Sequence, residues 1–300
     1  MRLGTRGSSL ALAQAGLVAE LIGDCELVPM TTSGDRGGGA GDKSRWVSEL
    51  ERALQAGEID LAVHSAKDVP GELAEGLELV GAPERAPAED VLCGSESLAA
   101  LPLGARVGTS SIRRQAQLLA ARPDLDVVAL RGNVDTRLAK LADPATGVEA
   151  IVLARAGLAR LRREAEIGGT LELESFVPAP GQGVIALEAR AGDERARRTA
   201  EAVTDERALS CLLAERAVSR SLGADCSTPL GAHAAVQSGG DLLLRGWVGL
   251  PDGSAWAADR LAGPAGDPEG LGAMLAARLS VAGARELLAR AQEMAGVGGG

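Results

Sequence analysis

Three times in the first half of the chain, a short apolar run stops at a small-residue turn carrying arginine, and helical spacing follows. The turns are Thr5-Arg6-Gly7-Ser8, Thr109-Ser110-Ser111 ahead of Arg113 and Arg114, and Arg131-Gly132-Asn133 ahead of Arg137. Strand-turn-helix units repeated in this way predict α/β domains, with parallel sheets covered by helices. In such sheets ligands gather beyond the carboxyl ends of the strands. A helix that starts there offers unpaired N–H groups and the positive end of its dipole. Arginine adds a planar fork matched to carboxylate or phosphate. One such turn is an ordinary capped helix. Three of them point to a ligand with several negative groups, a polycarboxylate or polyphosphate, held in a cleft between two α/β domains.

The densest polar cluster follows a fourth strand. Ile59 to Val63 reads as a buried strand, and Ser65, Lys67 and Asp68 follow within a few positions before Pro70 closes the segment. A hydroxyl, an ammonium and a carboxylate at a strand end can grip an ion and stabilise developing charge. Taken alone, the segment reads equally well as a Lys67–Asp68 surface pair.

Composition narrows the partners. The net charge is −10, which argues against nucleic acid as a partner, yet Arg106 to Arg137 holds six arginines against three aspartates. A local cationic patch on an acidic chain suits a small polyanion. Four scattered cysteines with no CxxC pair, and only two histidines, exclude a structural zinc site and a disulfide scaffold. We therefore expect no metal. Ser9 to Ile22 contains Gln14 and Glu20, so it reads as a folded helix and not as a signal peptide. No apolar run reaches about 18 residues, so no membrane span is expected. The expectation is a cytoplasmic protein. With one Phe, no Tyr and three Trp, its cores must be built from Leu, Val, Ala and Ile.

Gly34 to Ser44 holds five glycines and reads as a mobile loop, a candidate lid. Asp42 stands where a P-loop needs glycine, which removes the nucleotide reading. The Phe176–Gly183 stretch, with two prolines and two glycines, reads as a crossover between domains. Beyond Asp205 a long helix, three strands and two helices form a segregated α+β unit. Cys25, Cys93 and Cys211 read as buried hydrophobes. Cys226, by contrast, lies in the polar turn from Gly223 to Pro229. An arginine-rich cleft would favour its thiolate, and neighbouring Asp225 would oppose it. His64 and His233 are the only histidines, and His64 falls in a buried strand, so a catalytic triad is not expected. A nucleophile without a dedicated base calls for an intrinsically electrophilic partner.

The motifs together resemble the porphobilinogen deaminase (hydroxymethylbilane synthase) family over almost the whole chain. They are Thr5-Arg6 with Ser8 and Leu10-Ala11-Leu12; Val63-His64-Ser65 with Lys67-Asp68-Val69-Pro70; Gly108-Thr109-Ser110-Ser111 with Arg113-Arg114-Gln115; Leu130-Arg131-Gly132-Asn133-Val134 with Thr136-Arg137-Leu138; Pro178-Ala179 with Gly181-Gln182-Gly183; and Cys226 with Pro229 and Gly231. The resemblance implies two domains like periplasmic binding proteins around a cleft, plus a small C-terminal α+β domain. By analogy these take residues 1–86 with 183–203, 87–182, and 204–300. It implies a transferase of tetrapyrrole biosynthesis that condenses four porphobilinogen molecules head to tail, with loss of ammonia. Hydrolysis then releases hydroxymethylbilane. Cys226 would carry a dipyrromethane cofactor through a thioether, and Asp68 would be the catalytic carboxylate. Ser65, Lys67, Thr109, Ser111, Arg113, Arg114, Arg131 and Arg137 would bind the cofactor carboxylates. Arg6, Ser8, Arg160 and Gln182 would lie on the substrate side, and Lys43 and Trp46 in the mobile loop. A monomer acting on a small molecule, with no nucleic acid or membrane partner, is implied.

The chain departs from the family pattern at four places. Ala224-Asp225 precede Cys226 where glycines are common, and Gly41-Asp42-Lys43-Ser44-Arg45-Trp46 replaces a glycine-rich stretch ending in Phe. Ser33 stands where arginine is common, and Arg155 where a small apolar residue is. The rival reading from another class is a non-catalytic small-anion solute-binding module, since hinged two-domain folds also serve as ligand sensors.

Overall fold

The computed structural model describes residues 1–30, 44–225 and 228–297, and the side chains of all of these except 44–46 and 295–297. The glycine loop with Lys43, the departure at Ser33, and Cys226 lie outside the described residues.

The first sheet combines β1 (Arg2–Arg6), β2 (Glu26–Met30), β3 (Leu61–Ser65), β4 (Leu77–Gly81) and β10 (Ile185–Arg190), in the order β2-β1-β3-β10-β4. Helices α1 (Ser9–Ile22), α2 (Ser44–Gln55) and α6 (Glu194–Glu201) accompany it. Leu3, Leu61, Val63, Leu187, Ala15 and Val18 form part of its core, with aliphatic side chains throughout.

The second sheet is laid out in the same way. It orders β7 (Asp126–Val128), β6 (Arg106–Gly108), β8 (Ala150–Ala154), β5 (Asp90–Cys93) and β9 (Gly169–Leu171) side by side, with helices α3 (Ile112–Ala121), α4 (Val134–Ala142) and α5 (Arg155–Arg160). β5 is buried along its whole length and β8 along all but its last residue, as expected of apolar runs covered on both faces.

Neither sheet is wholly parallel, which corrects the sequence-based expectation. β1 runs parallel to β2 and β3, but β10 runs antiparallel to β3 and β4. Likewise β6 runs parallel to β7 and β8, while β5 runs antiparallel to β8 and β9. The reversed strands are the ones that enter from the other domain, so local βα rhythm could not reveal their direction. The two crossing segments touch each other: Ala86 N–H donates to Gly183 O at 3.1 Å.

The third domain is a meander of β11 (Leu230–Val236), β12 (Leu242–Gly249) and β13 (Trp256–Gly263), packed on α7 (Glu206–Leu222), α8 (Pro268–Val281) and α9 (Ala284–Val297). Asp205 caps α7 by accepting from Ala208 N–H, and Gly223 ends it in the left-handed region. Trp247 reaches the second domain, where it packs with Ala116 and Val177. Among the described residues no helix is long and apolar enough to cross a membrane.

Candidate active site

The carboxyl ends of β1, β3, β6, β7 and β8 lead into the residues singled out above, and their local hydrogen bonds explain how each is held. At β3, Ser65 exchanges hydrogen bonds with the Gln14 side chain at 2.8 and 2.9 Å. The chain then makes a single tight turn over Ala66–Asp68, which leaves Lys67 and Asp68 half-buried. Ala66 N–H donates to Val184 O at 3.0 Å, so the turn is fastened to the crossover. Gly181 presses on it from the same side: its φ is +74°, and a Cβ there would lie 2.9 Å from Ala66 Cβ and 3.0 Å from Lys67 N. Only glycine meets both demands.

The three sequence turns are all capped helix starts. Ser8 accepts from Ala11 N–H at 3.3 Å, with half-buried Arg6 just before it at the end of β1. Ser111 accepts from Arg114 N–H at 3.4 Å, and buried Thr109 accepts from Ser111 N–H at 3.2 Å. Asn133 accepts from both the N–H and the hydroxyl of Thr136 at 2.8 Å. Arg137 follows on the first turn of α4, and Arg131 lies exposed just before it.

The arginines then divide. Arg106 and Arg122 pair with Asp126 and Asp124, which removes them from the cationic patch. Arg113 and Arg114 are buried on a carboxylate that sequence reasoning passed over, Asp90 at the start of β5. Arg113 donates to Asp90 Oδ2 at 2.7 Å and to Val177 O at 2.7 Å. Arg114 donates to Asp90 Oδ1 through Nε and a terminal nitrogen at 3.0 and 2.7 Å, and to Val152 O at 2.9 Å. Gln182 is buried beside them, its amide donating to Asp90 Oδ1 at 2.9 Å and Ala88 O at 2.7 Å. Burial alone would raise the Asp90 carboxyl. The charges of Arg113 and Arg114, with hydrogen bonds from Arg113 and Gln182, outweigh it and hold that carboxyl well below the usual range. The sequence reading put Arg113, Arg114 and Gln182 at the ligand; the structure occupies most of their donors with protein. Asp90 carried no local signal, because its partners lie more than twenty positions away.

Arg137 and Arg160 are placed differently. Burial pushes each down to about 10. Arg160 donates to Gly183 O at 2.7 Å. For Arg137, burial and the like charge of Arg114 act downward while the charge of Asp68 acts upward. Arg137 Nε is buried without a hydrogen-bond partner among the described residues. A buried donor left open costs about 1–3 kcal/mol, so an acceptor in the cleft would be favoured there. A ligand carrying several carboxylates fits this donor set. Of the loop residues, Trp46 lies in α2, and Lys43 and Cys226 fall outside the described residues.

Two family models cover most of the chain. The family model described as "Porphobilinogen deaminase, dipyromethane cofactor binding domain" matches residues 1–198. The one described as "Porphobilinogen deaminase, C-terminal domain" matches residues 209–280. The porphobilinogen deaminase of Deinococcus deserti is 45% identical over 97% of this chain and 98% of its own. That of Roseiflexus sp. strain RS-1 is 45% identical over 96% and 98%. That of Thermus thermophilus is 43% identical over 96% and 98%. Among solved structures, an arginine-specific periplasmic binding protein of Salmonella typhimurium aligns with 70% of this chain and 93% of its own, at a TM-score of 0.39 and 14% identity.

Proposed function

The chain belongs to the porphobilinogen deaminase family, and from that premise we propose how its cleft divides the work of condensing porphobilinogen, with loss of ammonia, into hydroxymethylbilane. The enzyme is a transferase of tetrapyrrole biosynthesis, and its cofactor is dipyrromethane. Cys226 is the attachment point. When bound, the cofactor supplies the pyrrole position to which the first substrate is added.

Arg131, Arg137, Ser111 and Thr109 from the second domain, with Ser65 and Lys67 from the first, would hold its acetate and propionate groups. Arg113 and Arg114, fixed on Asp90, add positive potential behind them and leave only part of their donors for the ligand. Arg6, Ser8 and Arg160 take the carboxylates of incoming substrate. Gln182 serves by locking the crossover to Asp90.

Asp68 is the catalytic carboxylate. As the aminomethyl group of porphobilinogen loses ammonia, positive charge develops on the pyrrole, and the Asp68 oxygens stabilise it. Once the new carbon–carbon bond has formed, the same oxygens accept the proton lost from the α-carbon of the attacking pyrrole, and that loss restores the ring's aromaticity. The observation that carries this reading is Asp68 held half-buried in the turn at the exit of β3, together with a half-buried Arg137 whose charge Asp68 supports and whose Nε has no hydrogen-bond partner among the described residues.

We divide the chain into 1–86 with 183–203, 87–182, and 204–300, because the first two sheets exchange chain only through the crossovers after β4 and β9. A monomer in a reducing cytoplasm, without nucleic acid, suits the net charge of −10 and the free thiols Cys25, Cys93 and Cys211.

The test is the intact mass of freshly purified wild type and Cys226→Ser. A wild-type excess of two porphobilinogens less two ammonias, absent from the variant, is the expected result. A wild type that stays unmodified when incubated with porphobilinogen would favour the anion-binding module.

A further inference from the structure

Helix α7 of the third domain carries two consecutive buried charges that reach out of that domain to different segments. Glu215 accepts from Gly181 N–H at 2.6 Å and pairs with Arg85 at 2.6 Å, and Arg85 in turn donates to Gln182 O at 2.8 and 3.0 Å. Arg216 points to the other side of the site. Its guanidinium donates to the carbonyls of Val69, Pro70 and Gly71 at 3.3, 2.7 and 3.0 Å. One helix therefore holds both backbone segments that frame Asp68: the crossover turn, and the chain immediately after the carboxylate.

Those segments also hold each other, through Ala66 N–H on Val184 O and through Gly181 against Ala66 and Lys67. The turn from Ala66 to Asp68 thus has one fixed wall at the crossover and one at Arg216. Three successive carbonyls facing one way belong to no sheet or helix ladder, and buried acceptors of this kind need donors. A planar, permanently charged guanidinium can serve all three from a fork of fixed geometry, whereas an ammonium has three donors on one rotating point charge. Burial lowers Arg216 only to about 10, so it stays charged at neutral pH.

We propose that Arg216 is a positioning residue: by gripping the carbonyls of residues 69–71 it sets the orientation of the Asp68 carboxylate, and so ties the catalytic turn to the seating of the third domain. This rests on the assignment of Asp68 made above.

The test compares holoenzymes of wild type, Arg216→Met, Arg216→Lys, Asp68→Asn and the Arg216→Met/Asp68→Asn double variant. Arg216→Met should keep the cofactor mass and a KM for porphobilinogen within about twofold, while kcat falls about tenfold to a hundredfold, the scale of a misplaced catalytic group. Arg216→Lys should recover part of that loss. In the Asp68→Asn background, Arg216→Met should lower kcat by less than about twofold further, since both changes act through one group. Wild-type kcat in a folded Arg216→Met enzyme would overturn the proposal, as would full additivity in the double variant. If Arg216→Met does not fold, Arg216→Lys assayed well below its unfolding temperature decides, and unchanged kcat there refutes the role. A wild type without turnover would defeat the functional reading itself, which is a different failure.

Discussion

Asp68 and Asp90 are both carboxylates beside arginines, yet their surroundings give them opposite work. Asp90 has no solvent exposure and accepts from Arg113, Arg114 and Gln182, so its charge is fully used in holding the second domain to the crossover. Removing one partner of a buried ion network leaves the others uncompensated, at a cost of about 3–5 kcal/mol. Asp90→Asn should therefore lower the urea midpoint sharply, and an unchanged midpoint would contradict this account. Asp68 is half-buried in the turn that ends β3. Asp68→Asn should change stability by less than about 1 kcal/mol, retain the cofactor by intact mass, and lose about a hundredfold or more in initial rate. Near wild-type turnover in that variant would remove Asp68 from the mechanism. Asp68 was legible in the sequence because Ser65, Lys67 and Pro70 crowd around it at a strand end. Asp90 was not, because a lone aspartate before Val91-Leu92-Cys93 looks like any strand start, and only the fold brings Arg113 and Arg114 onto it.

At the scale of elements, what the sequence announces is what a helix or strand settles locally. The caps at Ser8, Ser111, Asn133 and Asp205 each bond within their own first turn, so they can be read from neighbouring residues alone. The direction of β5 and β10 depends on where the chain has come from, which no local pattern encodes. β9 is only three residues long, too short for a periodic pattern, whereas α6 starts on an Asp193 cap of the same kind as Asp205. Arg216 escaped notice for a related reason. On the helical pattern of α7 it is one more charged position, and its value lies in carbonyls about 145 positions earlier in the chain, at residues 69–71.

For the whole molecule, the interior charges fix how stability responds to acid. Burial, reinforced by Arg85 and Arg245, pushes His233 on β11 down from 6.5 to about 3. Between those values the unfolded chain binds a proton that the folded one refuses. Stability is therefore complete above about pH 6.5 and falls by about 1.4 kcal/mol per unit as pH drops toward 3. Asp90, held below its ordinary range, adds loss in the same direction only below about pH 4. His233→Leu should flatten the dependence between pH 6 and 4, measured as urea unfolding free energy, and an unaltered slope would show that His233 does not govern it. The topology also dictates an order of birth. Every strand of the second sheet has been synthesised by Leu171, whereas β4 hydrogen-bonds only to β10, which ends at Arg190. On the ribosome, then, the domain encoded in the middle is the first that can close, and the N-terminal domain must wait with a gap in its sheet until the later domain has been made.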